Sequence, residues 1–275
     1  MTRAMTPRNS ARERLEKGEV AIGVLLRQAR TVDIAAAMKT CGFDWLFLDL
    51  EHNSMSLDTA VQIAMAANAV GIAPLLRIPA GRYDMATRAL DGGAWGIVVP
   101  HVDTPKEARE AVARLKYPPL GHRSIAGTMP QFDFESRPLA EATAAVNAGL
   151  LLVVMLETPQ AIGNAEEIAA VPGIDALHVG ANDLCMEMGI PGDFLHRDVE
   201  RAFATVIAAC RKHGKWPAMG GIYTEEGLGK YVDMGVRMVL AGSDLNLLMA
   251  AGAARAAFVR AAAVSSPDRN VARHA

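Results

Sequence analysis

The chain has 275 residues, of which 51% are hydrophobic, and its formal net charge is -2. Because it has no basic excess, the composition argues against nucleic acid and an anionic membrane as partners, and we expect a small-molecule ligand. The three cysteines lack the paired spacing of a zinc site, so neither a zinc centre nor a disulfide framework is predicted.

The ends of the chain carry no predicted targeting or spanning segment. The first residues are charged and polar, and the longest unbroken apolar run, 150–156, is much shorter than the roughly 20 residues that cross a bilayer. We therefore predict a cytoplasmic protein with one domain over residues 1–265. Residues 266–275 have little to bury and are expected to form a frayed tail.

Eight short strand-like runs recur along the chain, and each is followed by a segment of helical period. This alternation is typical of βα units around a parallel sheet. Eight units in about 250 residues predict an α/β fold of the (β/α)8 TIM barrel type. A doubly wound open sheet is the alternative, because counting strands does not show closure, although no G-x-G-x-x-G follows an early strand. The runs are 21–26, 45–51, 73–79, 96–102, 150–157, 176–183, 216–223 and 238–244.

Capping residues mark where several helices begin. They are Ser56, Thr104, Thr158 and Thr224. The last predicted helix, from Leu245 to about Val264, has apolar residues around most of its circumference, which is more than one barrel wall should cover. The segment 117–149 is the one long departure from the repeat. Because it follows the fourth strand, we expect it on the face formed by the strand C-termini, with a functional role.

Ionisable residues lie at the C-terminal ends of five consecutive predicted strands, where the active face of a (β/α)8 barrel forms. They are Asp49, Glu51, His52, Arg77, His101, Glu157 and Asp183. Glu157 and Asp183 lie at the ends of adjacent predicted strands, so their two carboxylates can bind one cation. Since the candidate ligands are oxygens, Mg²⁺ or Mn²⁺ is favoured over a zinc-type ion.

Each of these residues also has an ordinary structural explanation. A single acid at a strand end is most often a turn residue or a helix cap, and Arg77 alone could form a simple ion pair. His101 and His178 are expected as core or loop residues rather than catalytic ones. The pattern over consecutive strands favours a site. No lysine ends a strand, so a Schiff-base mechanism is not predicted and carbonyl chemistry would need a metal as electron sink.

Five motifs, in order from about residue 20 to 260, resemble the HpcH/HpaI aldolase family, whose superfamily includes citrate lyase β-subunits. They are GFDWLFLDLEHNSMS, LLRIP, YPPLGHRSIAG, VVMLETPQAI and VPGIDALHVGANDLCMEMG. The resemblance implies a (β/α)8 barrel and a homohexamer that exchanges its last helix between subunits. It also implies class II aldol chemistry, in which a Mg²⁺, Mn²⁺ or Co²⁺ enzyme cleaves 4-hydroxy-2-oxoacids to pyruvate and an aldehyde.

The resemblance assigns roles around the metal and the carboxylate of pyruvate. Glu157 and Asp183 match the metal ligands, and Asp49 matches an acid near the metal waters. The backbone N–H groups of Asn182 and Asp183, which follow Gly180, match the cradle for the pyruvate carboxylate.

It also assigns the residues that act on the bond. Arg77 matches the arginine on the pyruvate C2 oxygen, and His52 matches the catalytic base that takes the C4 hydroxyl proton. Asp91 matches an aspartate that pairs with this histidine from a neighbouring subunit. The chain departs from many relatives at Met155, where they have glutamine, and at GAND (180–183), so the aldehyde is not predicted. Specificity is expected to depend on residues 122–136 and on a neighbour's surface.

Two other functions stay open. One is a related lyase that acts on oxaloacetate or on an acyl-CoA, and the other is a non-catalytic barrel that binds a metal-chelated 2-oxoacid. A CoA site would need basic residues at the mouth, and Arg27, Arg82, His122 and Arg123 are the candidates.

Overall fold

The computed structural model describes residues 9–264, and its eight parallel strands close into one barrel in chain order. The predicted (β/α)8 architecture is therefore confirmed, and the open-sheet alternative is wrong. The strands are β1 (Ala21–Leu26), β2 (Trp45–Asp49), β3 (Ala73–Arg77), β4 (Gly96–Val99), β5 (Leu151–Leu156), β6 (Ala176–Gly180), β7 (Trp216–Gly220) and β8 (Met238–Ser243). Most end before the predicted boundary, so Glu51, His101, Glu157 and Asp183 follow their strands rather than belonging to them.

All helices but the last surround the barrel, and four of them start directly after a predicted capping residue. Ser56 accepts a hydrogen bond from the Thr59 N–H, and Thr104 forms a capping box with Glu107. The helices are α1 (Ser10–Glu16), α2 (Ile34–Thr40), α3 (Leu57–Val70), α4 (Tyr83–Asp91), α5 (Pro105–Leu115), α6 (Leu139–Gly149), α7 (Pro159–Gly163), α8 (Ala165–Ala169), α9 (Ala181–Glu187), α10 (Arg197–His213), α11 (Glu225–Met234) and α12 (Asp244–Val264).

Two apolar layers hold the barrel together. Alternate strand residues pack between the sheet and the helices, while the others fill the interior, where Trp45, Phe47 and Leu75 lie. Gly23 is needed for this filling, because a Cβ there would lie 2.1 Å from the Trp45 ring. Apolar side chains thus fill the interior, and a cavity opens at the C-terminal ends of the strands.

The segment 117–149 does not lie on the predicted face. Because α5 reverses the chain after β4, the segment begins at the N-terminal end of the barrel. There the Gln131 side chain donates to the carbonyls of Leu90 and Ala94 at 2.6 and 3.1 Å. Its last part forms α6, and the expectation of a long loop beside the same chain's active face is wrong.

The final helix extends away from the barrel. Residues 246–262 of α12 are exposed, among them Leu248, Met249 and Phe258, which are 69%, 63% and 68% exposed. By length and composition alone this helix could cross a membrane, which is weak evidence for such a role. The tail predicted at 266–275 lies outside the described residues.

Candidate active site

A cavity of about 190 Å³ opens at the C-terminal ends of the strands. Its floor is formed by apolar side chains of the barrel interior, including Phe47, Met155 and Leu240. Its polar wall includes Arg27, Asp49, His52, Arg77, Glu157 and Asp183. The structure therefore brings the candidate residues of four strands to one cavity.

Arg77, at the end of β3, is fixed by two carboxylates. Its Nε and Nη2 donate to Asp49 Oδ1 and Oδ2 at 2.9 and 2.6 Å, and Nη1 lies 3.2 Å from Glu51 Oε2. The latter contact is an ion pair without hydrogen-bond geometry. A guanidinium has five N–H bonds, so donors remain for a ligand after Asp49 has set its orientation.

Asp49 remains ionised in this setting. Burial alone would raise its pKa, but the hydrogen bonds and charge of Arg77, with the backbone N–H groups of Glu51 and His52, hold the pKa below its ordinary value. Asp49 therefore orients Arg77, which lines the cavity.

Glu157 follows β5 and is only 2% exposed. Its Oε2 accepts the His101 backbone N–H at 3.0 Å and lies 3.1 Å from His101 Nδ1. Burial raises the pKa of Glu157; His101 opposes this shift, and the negative charge of Asp183 adds to it. Two carboxylates that repel each other beside a cavity are an arrangement that a cation relieves.

The residues present fit a hard divalent cation. Within residues 9–264 no group of three or more His, Cys, Asp and Glu side chains converges as a complete metal site. Two carboxylates are nevertheless a suitable set for Mg²⁺ or Mn²⁺, which retain water or substrate oxygens as further ligands. Gly180 keeps the space open, since a Cβ there would lie 2.5 Å from Glu157 Oε1.

Asp183 and Asn182 lie on a helix and not on β6, contrary to the predicted strand boundary. The strand ends at Gly180, and α9 begins at the next residue. The first turn of a helix has backbone N–H groups without intrahelical partners. Gly180, Asn182 and Asp183 all line the cavity, as the proposed carboxylate cradle requires.

His52 lies at the mouth, with its side chain 62% exposed and its Nε2 3.8 Å from Glu51 Oε2. Asp91 lies elsewhere: it ends α4 on the N-terminal side of the barrel, where the Arg123 Nη2 contacts it at 2.5 Å. The predicted pairing of His52 with Asp91 of another subunit is not tested by a single chain and stays a prediction.

Two polar residues have positions that their sequence patterns did not predict. Glu51 was grouped with the charges at the strand ends, yet no role was assigned to it; it links Arg77, His52 and His101. His178 was expected in the core or a loop, and it is buried but also lines the cavity. The available signal was strand alternation. His178 lies two residues before Gly180, so both face the same side of the strand.

The fold and the cavity define a (β/α)8-barrel protein with an acid-rich site at the strand C-termini, where enzymes of this fold carry out their chemistry. The model of the HpcH/HpaI aldolase/citrate lyase family matches residues 24–251. The chain belongs to this family, as its motifs predicted.

Named relatives cover nearly the whole chain. It is 40% identical to 4-hydroxy-4-methyl-2-oxoglutarate aldolase of Chaetomium globosum over 254 residues, which is 90% of this chain and 91% of the relative. It is 32% identical to 2-dehydro-3,6-dideoxy-6-sulfogluconate aldolase of Pseudomonas putida, over 86% and 91% of the two chains. Among solved structures, an HpcH/HpaI aldolase from Desulfitobacterium hafniense matches with a TM-score of 0.86 and 27% identity, covering 94% of this chain and 98% of that one.

Proposed function

We propose that the chain is a class II pyruvate aldolase, a carbon–carbon lyase that cleaves and forms 4-hydroxy-2-oxoacids. The observation that carries this proposal is one cavity that joins a fixed arginine, Arg77, to the carboxylate pair Glu157 and Asp183. The aldolase names of the relatives support the same class of enzyme. A 4-hydroxy-4-methyl-2-oxoacid or a keto-deoxy sugar acid is the substrate class that those names suggest.

Glu157 and Asp183 would hold the divalent cation, Mg²⁺, Mn²⁺ or Co²⁺. When bound, the cation supplies Lewis-acid polarisation of the 2-oxoacid, which replaces the Schiff base of lysine-dependent aldolases. The backbone N–H groups of Asn182 and Asp183 would bind the carboxylate of the pyruvate half, since first-turn N–H groups favour anions.

The protein's own residues account for the bond change. His52 takes the proton of the C4 hydroxyl, so that C4 becomes a carbonyl while the C3–C4 bond breaks and its electron pair passes into the enolate of pyruvate. C3 of the enolate then takes up a proton from solvent, which gives pyruvate, and His52 returns its own proton to solvent. A neutral imidazole can take up the C4 hydroxyl proton and return it in the reverse, bond-forming direction.

Arg77 stabilises the negative charge that develops on the C2 oxygen. Its contacts with Asp49 hold the guanidinium in place before the reaction, so that little reorganisation is needed when the charge appears. Interactions that strengthen only as the charge forms raise turnover rather than ground-state binding.

We infer that the active enzyme is an oligomer, by resemblance a homohexamer, in which α12 packs on a neighbouring barrel. The exposed apolar length of α12 supports this proposal. Asp91 of a neighbour would then pair with His52 and tune its basicity. A cytoplasmic location and a single barrel domain belong to the same proposal.

Mixed oligomers test the shared site. His52→Ala and Asp91→Ala should each be nearly inactive, but when they are denatured together and refolded, some interfaces would combine an intact His52 with an intact Asp91. Partial return of activity is expected. Failure to recover activity in oligomers shown to be mixed would contradict a site shared between subunits.

A CoA-dependent lyase is less well supported. Of the four basic residues proposed for a CoA mouth, Arg27 lines the cavity, whereas Arg123 is buried against Asp91 and Arg82 pairs with Asp84 at the surface. The neighbouring hollow of about 530 Å³ has three acids in its lining, Asp84, Glu107 and Glu110, against one arginine, Arg114, so its charge balance disfavours phosphate.

Product analysis separates the candidate functions. Purified protein is incubated with 4-hydroxy-4-methyl-2-oxoglutarate, with sugar-derived 4-hydroxy-2-oxoacids and with oxaloacetate, and pyruvate release is measured. With acyl-CoA esters the shorter acyl-CoA product is measured instead, and binding of pyruvate is followed separately by calorimetry. The proposal predicts release from a hydroxy-oxoacid that EDTA stops and Mn²⁺ restores. Turnover of oxaloacetate or an acyl-CoA alone favours the related lyase, and binding without turnover favours the non-catalytic barrel.

A further inference from the structure

A histidine of the barrel interior lies beneath the cavity. His178, on β6, is 1% exposed and lines the cavity together with Gly180, two residues further along the strand. Strand alternation explains its direction, because Ala176 packs in the interior whereas Leu177 and Val179 pack against the helices. The imidazole therefore forms part of the cavity floor.

This imidazole lacks the partner that a buried polar group normally has. Its Nδ1 is buried without a hydrogen bond to any residue of the described range 9–264. Burial, together with the charge of Arg77, lowers the pKa of His178 to about 3, so the ring is neutral and has one donor and one acceptor nitrogen. Since buried polar atoms rarely stay unpaired, an exception in the wall of a cavity suggests that a ligand supplies the partner.

The residue beside the Nε2 of this ring on the neighbouring strand has no side chain. Gly220 of β7 also lines the cavity, and a Cβ there would lie 2.7 Å from His178 Nε2. On the other side, Met155 of β5 is the strand-register partner of His178 and offers only a thioether, which is a weak acceptor. Among His178 and these two neighbours, only His178 has a side chain that forms strong hydrogen bonds.

We propose that His178 is a substrate-binding residue that hydrogen-bonds an oxygen at the pyruvate end of the bound 2-oxoacid. This inference rests on the proposed aldolase function. The pyruvate end is indicated by the position of Gly180, which lies two residues after His178 on the same strand. Gly180 leads into the first turn of α9, which would hold the carboxylate. The exposed mouth, where His52 lies, is left for the second carbonyl fragment.

Calorimetric titration of pyruvate into the Mn²⁺-loaded protein tests this role. His178→Phe keeps an aromatic ring and removes both nitrogens, so we expect the Kd for pyruvate to rise about 10-fold, the effect of one hydrogen bond of about 1.4 kcal/mol. The Kd for Mn²⁺, measured by electron paramagnetic resonance, should not change. His213→Phe is the matched control, because His213 at the end of α10 also has a buried unpartnered Nε2 but does not line the cavity.

Further variants protect the test against a folding defect. His178→Gln retains an N–H group and should bind pyruvate more tightly than His178→Phe does. Adding Met155→Gln to His178→Phe places an amide at the same level of the floor and should restore part of the affinity. Should His178→Phe not fold, His178→Leu removes the same nitrogens with a smaller side chain.

Two negative results are distinguishable. A folded His178→Phe or His178→Leu protein that binds pyruvate with the wild-type Kd would overturn the role of His178 and leave the aldolase proposal intact. Absence of pyruvate binding by the unaltered Mn²⁺-loaded protein would contradict the proposed function itself, and the role of His178 with it.

Discussion

Each end of the barrel buries a cluster of charged side chains, and the two clusters are satisfied to different degrees. At the N-terminal end, Lys116 is 1% exposed, and its ammonium donates to the carbonyls of Asn147 and Leu150 and to Asp175, at 3.1, 2.9 and 3.0 Å. Asp175 also pairs with Arg12 at 3.0 Å. All three donors of the ammonium are used, so this cluster is complete without a ligand, although Arg123 at the same end has two buried nitrogens without a hydrogen bond to any described residue.

The cavity end retains unpaired groups. Glu51 Oε2 and His178 Nδ1 are buried without a hydrogen bond to any residue in the described part of the chain. Glu157 also lies within the field of Asp183. Buried groups that a protein leaves unsatisfied lower its stability, and such groups concentrate at functional sites. The comparison supports a structural role for the Lys116 cluster, and it agrees with the proposed binding of a cation and a 2-oxoacid at the cavity.

The largest expected effect separates the two ends by activity. Asp183→Asn or Glu157→Gln should reduce metal-dependent pyruvate release by about 10³-fold or more, because changes to groups that merely support a metal ligand already cost about 10–100-fold. Circular dichroism should show a folded barrel in both variants. Full activity in either one would remove that residue from the proposed metal site.

The matching change at the N-terminal end should affect stability instead. Lys116→Met leaves Asp175 and two carbonyls without the ammonium, and breaking a buried ion pair in this way costs about 3–5 kcal/mol of unfolding free energy. Denaturant unfolding measures this loss. The folded fraction should keep the wild-type kcat, and a selective loss of kcat would show that the two ends are not separate in function.

Arg77 tests how the cavity end uses its fixed donors. Arg77→Lys keeps the charge but loses the planar group that Asp49 holds at two positions, so kcat should fall about 10²-fold, as when one oxyanion donor is removed. Steady-state kinetics separates the alternatives. An unchanged kcat with a raised KM would mean that Arg77 only binds substrate.

The smallest effect concerns pH. The pKa of Glu157 in the folded, metal-free protein lies above its ordinary value of 4.5 because of burial, so the stability it contributes is present below that pH and is lost as pH rises through the folded-state pKa. In EDTA, Glu157→Gln should therefore become more stable relative to the wild type as pH rises from 4 towards 7. A stability difference that does not vary with pH would show that burial does not destabilise the ionised form of Glu157 in the absence of a cation.

The order of elements could be predicted from the sequence, as could most of the polar residues that line the cavity. Apolar runs bounded by glycine and proline identified all eight strands, and the capping residues Ser56 and Thr104 correctly marked helix starts. The predicted C-terminal ends of most strands lie beyond the observed ones, because an apolar run does not show where the hydrogen-bonded ladder stops. Asp183 therefore proved to lie on α9.

What the sequence did not predict depends on tertiary contacts. The segment 117–149 was expected beside the active face, but the intervening α5 carries the chain to the opposite end, where Gln131 is anchored. His178 has the same local pattern whether it is a satisfied core residue or a cavity residue. Only its neighbours on the adjacent strands, Gly220 of β7 and Met155 of β5, distinguish the two.

Thermal unfolding of the unaltered protein tests most directly whether the cavity end is completed by a cation and a 2-oxoacid. Tm is measured in EDTA, then with Mn²⁺, and then with Mn²⁺ and pyruvate together. A ligand at 100 times its Kd stabilises the folded state by about 2.7 kcal/mol, so Tm should rise at each addition in the wild type and not in Asp183→Asn. An unchanged Tm in the wild type with both ligands, or an equal rise in Asp183→Asn, would contradict the account.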